Sequence, residues 1–180
     1  MDPLVKLCRV SELSQTDLAE RQALATAVYP PAEWADWPGY QIEWSATDWC
    51  VRIWDADGAL VSYLGALTRQ ATHDGRPIEI GGVGGVKTHP AARRHGYAAL
   101  GLQRAGEFFR EQPGVEFALL VCDPKLMPYY ARLGWREFTG RLLVRQHGEV
   151  AEFTFGRAMV RDVQATAPTT GTIDLCGPPW

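Results

Sequence analysis

Hydrophobic positions along the chain change period several times, and each change marks an element. Residues 4–10 read as a short strand. Residues 18–28 place Leu18, Leu24 and Val28 toward one face of a helix, and Pro30-Pro31 ends it. From Trp49 the period becomes two: Trp49, Val51 and Ile53 alternate with Cys50, Arg52 and Trp54. Asp57-Gly58 is a hairpin signal, because both residues tolerate positive φ. Residues 59–69 are therefore expected to pair antiparallel with the first run. His73-Asp74-Gly75 makes a second turn, and residues 77–86 extend the meander to three antiparallel strands.

After Pro90 the period turns helical. Ala98, Leu102, Ala105 and Phe109 build one apolar face, and Pro113-Gly114 ends it. Residues 115–121 form a continuous apolar run of strand length, expected to be buried. Pro124 opens a short helix to Leu133, stopped by Gly134. Residues 142–145 and 150–155 read as a last hairpin around His147-Gly148, and residues 164–171 read as a loop. The chain runs on into an apolar, proline-containing segment, residues 175–180. Strand runs joined by a few helices predict an α+β fold, and 180 residues fit one domain, 1–180.

Composition narrows the function classes. Apolar residues make up 46% and charged residues 22%, an ordinary globular balance. A net charge of −3 argues against non-specific nucleic-acid binding and mildly favours a cationic small molecule. No apolar run approaches the roughly 20 residues of a membrane helix. The first residues lack a signal-peptide pattern, so a cytoplasmic protein is expected. Cys8, Cys50, Cys122 and Cys176 are far apart in sequence and form no CxxC pair, and the four histidines show no metal spacing. Reduced thiols and no metal are expected.

The most informative stretch runs from Val83 to Ala98, a strand, a turn and the first turn of a helix. A helix start leaves several amides without internal partners, and their dipoles favour an anion. Gly96 and Ala98 let a pyrophosphate approach, and Arg93 and Arg94 add charge. No Gly-Lys-Ser/Thr of a phosphate-binding loop follows, and the strand ends a meander rather than opening a parallel βαβ unit. Arg93-x-x-Gly96-x-Ala98 after a Pro90-preceded strand resembles the coenzyme A signature of the GCN5-related N-acetyltransferases.

That resemblance extends through residues 115–121 and through the run Tyr129-Tyr130-Ala131-Arg132-Leu133-Gly134-Trp135-Arg136-Glu137. It implies a mixed, mostly antiparallel sheet flanked by helices, whose two central strands splay apart. It also implies acetyl-CoA as co-substrate: the pantetheine arm beside Val86 and Thr88, the pyrophosphate on the amides of Arg94, His95, Gly96, Tyr97 and Ala98. The acid that protonates the departing thiolate would be Tyr130, with Tyr129 as fallback, and an amide near Val86 would polarise the carbonyl. Glu79 and Asp123 are the candidate bases, acting through water. For each, a solvated carboxylate at a strand end is the competing reading. Cys122 reads better as a half-buried core thiol than as a nucleophile.

The acceptor is the less constrained half. Residues 33–44 interleave Trp34, Trp37, Tyr40 and Trp44 with Glu33, Asp36 and Glu43. Rings and carboxylates suit a polyhydroxylated or polycationic amine, and equally a segment pinned to the core by tryptophans. From about Trp44 onward the chain resembles the aminoglycoside 2′-N-acetyltransferases, in the strand pair around Asp57-Gly58, the glycine-rich run Gly82 to Val86, and Tyr130 to Trp135. The ending Cys176 to Trp180 also fits. The resemblance implies that residues 164–180 fold back toward the acceptor site, where Trp180 would meet an amino group; Glu33, Asp36 and Trp37 are the candidates from the aromatic and acidic segment. Homodimers are common in the family, so one is a compatible state. Two departures stand out: Gly84 replaces the family's strand glutamate, and Pro179 replaces an acidic residue. The alternatives are acetylation of another small amine or a protein amine, and a catalytically silent binding module of the same fold.

Overall fold

Two long antiparallel strands, joined by the two-residue turn Asp74-Gly75 at positive φ, carry everything else. The structure, a computed structural model, describes residues 2–180. In chain order its elements are β1 (Leu4–Arg9), α1 (Gln15–Val28), α2 (Pro31–Trp34), β2 (Trp49–Trp54), β3 (Leu60–His73), β4 (Arg76–Thr88) and α3 (Tyr97–Glu111). There follow β5 (Val115–Cys122), α4 (Met127–Ala131), β6 (Arg136–Phe138), β7 (Arg141–Gln146), β8 (Glu149–Glu152), β9 (Arg157–Asp162) and β10 (Thr172–Asp174). Among the described residues the strands form one mixed sheet, ordered β6-β9-β5-β4-β3-β10-β7-β8, with β2 on β3 and β1 on β2. Only β4–β5 and β10–β7 pair in parallel. This is the expected α+β architecture, a mixed curled sheet with flanking helices.

β3 is long enough to serve two partners on one edge. Its first half pairs with β2 from Leu60 to Ala66, and its far end, Thr72 and His73, pairs with β10. Helix α3 supplies the crossover that a parallel β4–β5 pair requires. Its buried residues Leu102, Ala105, Phe108 and Phe109 meet Val83, Ala118 and Leu120 on one face of the sheet. Each large side chain so buried contributes about 1.5–3 kcal/mol. On another part of the sheet, Leu24 of α1 packs with Cys50 and Tyr63. A Ser14–Asp17 capping box starts α1, and Asp17 and Glu20 bind the buried Arg52 of β2 at 2.5 and 2.9 Å.

Four departures from the sequence pattern matter. β3 and β4 run several residues beyond 59–69 and 77–86, because paired backbone extends past the apolar alternation. β9 has no counterpart in the predicted elements, although it is the antiparallel neighbour of β5 along its length. β10, equally unpredicted, inserts the chain's last part into the sheet between β3 and β7. Cys8 and Cys50, distant in sequence, face each other across β1–β2 with sulfurs 3.5 Å apart. No helix is long and apolar enough to cross a membrane among the described residues.

Candidate active site

The parallel pairing of β4 with β5 runs from Glu79↔Val115 to Val83↔Leu120 and stops there, although β4 continues to Thr88 and β5 to Cys122. The cause lies on the other edge of β4. Gly84 faces Gly65 and Lys87 faces Tyr63, so Gly85 and Val86 together oppose Leu64 alone. Such a bulge bends the strand and raises its twist. Gly85 makes the bend with φ +58°, a conformation that favours glycine. Residues 84–88 are thereby turned away from β5, opening a gap whose β4 edge has no strand partner among the described residues.

The chain leaves this edge into the turn before α3. His89 Nδ1 accepts from the Ala91 amide at 3.3 Å, and His95 Nδ1 lies 3.0 Å from the Arg93 carbonyl, so both imidazoles brace the turn. Arg94 at φ +69° and Gly96 at φ +84° bring the main chain round. Among the described residues the amides of Arg94, His95, Gly96, Tyr97, Ala98 and Ala99 donate to no protein acceptor, whereas Leu100 N–H begins the helical ladder on Gly96 O at 3.0 Å. Arg93, Arg94, His95 and Gly96 are exposed. Six free amides at a helix N-terminus flanked by two arginines form a cradle for a polyanion.

Tyr130 of α4, 5% exposed, belongs to the apolar cluster that holds Val83 and Leu120, the last paired residues before the gap, and against which Val86 packs. Burial, then the neighbouring Cys122, Tyr129 and Tyr29, push its phenol well above the usual range, so it holds its proton throughout the physiological range. A protonated phenol in this position can donate to a departing thiolate. Its ring packs edge-on to Tyr129 at 5.2 Å and Trp135 at 6.3 Å. Burial also pushes the Cys122 thiol up to about 11, with Asp123 and Glu137 adding to the shift, which removes thiolate character.

The proposed carboxylates divide. Glu79 lies five residues before Gly84, roughly 16 Å away at about 3.3 Å per residue. It faces Gln70 of β3, which donates to it, and Val115 at the start of β5. The structure does not bring Glu79 to the gap. Asp123 sits at the C-terminal end of β5, near the gap, but its carboxylate caps the following turn by accepting from Lys125 N–H at 2.8 Å.

Of the expected acceptor residues, Trp180 comes nearest the gap. It is 5% exposed, its indole Nε1 donates to Leu119 O at 3.3 Å, and Arg69 stacks over the ring at 5.0 Å. The indole covers Gly82, and a Cβ at Gly84 would fall 2.8 Å from the main-chain carbon of Trp180. Gly84 therefore makes room for the tail one residue before the bend. Ser45 fastens the same segment, donating through N to Pro179 O at 2.6 Å and through Oγ to Pro178 O at 3.1 Å.

Residues 33–44 are pinned to the rest of the chain. Trp37 packs among Trp34, Tyr40, Trp44 and Phe155, and Glu43 accepts from His147 N–H at 2.9 Å. Glu33 and Asp36 remain exposed on a hollow of about 270 Å³ lined by residues 32–37. Two residues not singled out by sequence join this segment to the gap. Tyr29, ending α1, stands edge-on to Trp34 at 4.6 Å and lies within electrostatic reach of Arg93 and Tyr130. Lys87 extends over Gly85 and lies 5.8 Å from the Tyr29 ring. Proline after Tyr29 and glycines before Lys87 were the available signals. Among the described residues no three His, Cys, Asp or Glu side chains are grouped to hold a metal.

Comparison with known proteins agrees with this fold. The acetyltransferase (GNAT) domain family matches residues 10–138. Among solved structures, Escherichia coli ElaA superposes with a TM-score of 0.62 at 21% identity, over 89% of this chain and 100% of that one. The E. coli GNAT family N-acetyltransferase YhbS, solved in complex with CoA, gives 0.61 at 16% identity, over 97% and 89%. A GNAT family acetyltransferase from Brucella melitensis in complex with acetyl-CoA gives 0.56 at 13%, over 94% of each chain. No match was found among curated proteins.

Proposed function

The chain belongs to the GNAT acetyltransferase family, and from that premise we propose that it transfers acetyl from acetyl-CoA to an amino group of a small cationic molecule, an aminoglycoside at its 2′-amino group being the first candidate. The observation that carries the donor half is the run of six unpartnered amides from Arg94 to Ala99 beside the unpaired edge of β4. A diphosphate satisfies the amides, and an amide-bearing pantetheine arm satisfies the strand edge at residues 84–88. The relatives solved with CoA and acetyl-CoA support the same donor.

In this reading the neutral acceptor amine attacks the thioester carbonyl carbon. A C–N bond forms and the C–S bond breaks. An amide near Val86 polarises the carbonyl, and Tyr130 gives its proton to the thiolate. The amine's own proton leaves through water, since Glu79 is remote and Asp123 is engaged in a cap. Trp180 at Gly84, with Trp34 and Tyr29 opposite, supplies the walls of the acceptor side, and Glu33 and Asp36 supply carboxylates for further ammonium groups. A second reading, a small amine of lower charge, is favoured by the cations Lys87, Arg21 and Arg93 around Tyr29 and Tyr63.

Two measurements test these readings separately. Saturating acetyl-CoA should raise Tm by mass action, and an unchanged Tm removes the donor assignment. Thiol release is then followed over a panel of aminoglycosides, polyamines and monoamines. Turnover confined to amines without a second charge overturns the aminoglycoside assignment and favours the second reading. No release with any amine leaves a binding module.

A further inference from the structure

Lys87 is set apart from the paired cations of the molecule. Arg52, Arg76, Arg136, Arg141 and Arg145 each bind a carboxylate. Among the described residues no carboxylate pairs with Lys87. Its Nζ donates instead to Gly85 O at 3.0 Å, 3.1 Å from where a Cβ on Gly85 would stand. The ammonium therefore lies on the residue at which β4 bends away from β5. Tyr63 of β3 and Tyr29 at the end of α1 flank it, with ring centroids at 5.7 and 5.8 Å. Arg21 of α1 lies over the Tyr63 ring at 5.2 Å and adds like charge to Lys87, and Arg93 lies within electrostatic reach of Tyr29. Partial burial of an unpaired cation among rings disfavours the charged form. Burial and then Arg21 bring Lys87 down to about 8, so a substantial fraction is free amine in mildly alkaline solution. A nucleophilic amine beside the bend of a strand that binds a thioester arm has a chemical consequence.

We propose that Lys87 is an internal acetyl acceptor: without an amine substrate, its Nζ is acetylated by acetyl-CoA lying along residues 84–88. The inference rests on the donor site proposed above. The unprotonated Nζ attacks the thioester carbonyl carbon, a C–N bond forms, and the C–S bond breaks. The proton lost by the amine balances the one taken up by the thiolate, leaving Nε-acetyl-lysine and free coenzyme A thiol. Acetylation removes the one ammonium at the bend and places a neutral amide there, between Tyr29 and Tyr63.

The chain makes the test unambiguous, because its only lysines are Lys6, Lys87 and Lys125. The full chain is incubated with acetyl-CoA and no added amine, and followed by intact mass and peptide mapping. One acetyl group on Lys87 is expected, forming faster as pH rises and levelling off above about 8. Lys87→Arg should remain unmodified while acetyl-CoA still raises its Tm. Tyr130→Phe should slow the modification at least tenfold. An unmodified Lys87 in protein whose Tm acetyl-CoA raises overturns the inference and spares the donor site. Equal labelling of Lys6, Lys87 and Lys125 overturns it too, since solution chemistry would then suffice. A Tm that acetyl-CoA does not move overturns both.

Discussion

The two halves of the candidate site are made of different material. In the proposed reading the donor half is main chain: amides at the start of α3, and a strand edge freed by a bulge within one short stretch, residues 84–99. The acceptor half, in the same reading, is side chain, drawn from Tyr29, Trp34, Lys87, Tyr130 and Trp180. A main-chain site tolerates change in its side chains, provided the positive φ of Gly85 and Gly96 is kept. A side-chain site changes its chemistry with each replacement. The donor should therefore be the robust half and the acceptor the specific half.

The sharpest way to break that comparison is Tyr130→Phe. Loss of a positioned acid is expected to lower turnover by about 10²-fold or more, with the acetyl-CoA-induced Tm shift retained. Thiol-release kinetics beside thermal unfolding decide it, and unchanged turnover takes Tyr130 out of the chemistry. Next comes Trp180→Ala. Removing a buried indole is expected to destabilise by about 3–5 kcal/mol in urea unfolding and to raise KM for the amine while sparing acetyl-CoA. Equal weakening of both substrates would erase the division between the halves.

Smaller effects are expected on the donor side. Arg93→Ala should weaken acetyl-CoA by about 1 kcal/mol or less, because its guanidinium is exposed and screened. Titrations at two salt concentrations measure this, and a loss far beyond tenfold would mean that side-chain charge outweighs the amides. A pH-dependent effect concerns Lys87, whose folded value of about 8 lies below the ordinary 10.5. Below pH 8 both folded and unfolded chains carry the proton, and burying the cation opposes folding in full. Between pH 8 and 10.5 the folded chain releases it first, and that opposition fades. Lys87→Met should thus gain Tm over the parent at pH 7 and lose part of the gain by pH 9.5. A gain that grows with pH contradicts the direction of the shift.

Much of this was legible from sequence, for reasons that differ by element. α3 and β5 follow from local apolar patterns, and the His147-Gly148 hairpin follows from its turn residues. The cradle was legible because helix ends and glycine turns are local events. Glu79 illustrates the limit. On β4 it shares a strand with the turn, yet the pairing partners Gln70 and Val115 put it at the wrong end. β9 escaped because Arg157, Arg161 and Asp162 interrupt its apolar run, while its pairing partner β5 lies far upstream.

By itself the sequence determined what depends on neighbours along the chain: the meander, the helix after Pro90, the amide-rich turn and hence the family. Only tertiary structure decided which distant groups share the gap. Strand register set Lys87 opposite Tyr63, a bulge at Gly85 parted β4 from β5, and the returning tail laid Trp180 on Gly84. The physical reason is range. Turn and cap energies act over a few residues and leave their mark in spacing, whereas packing and register are settled between segments that meet only when the sheet closes.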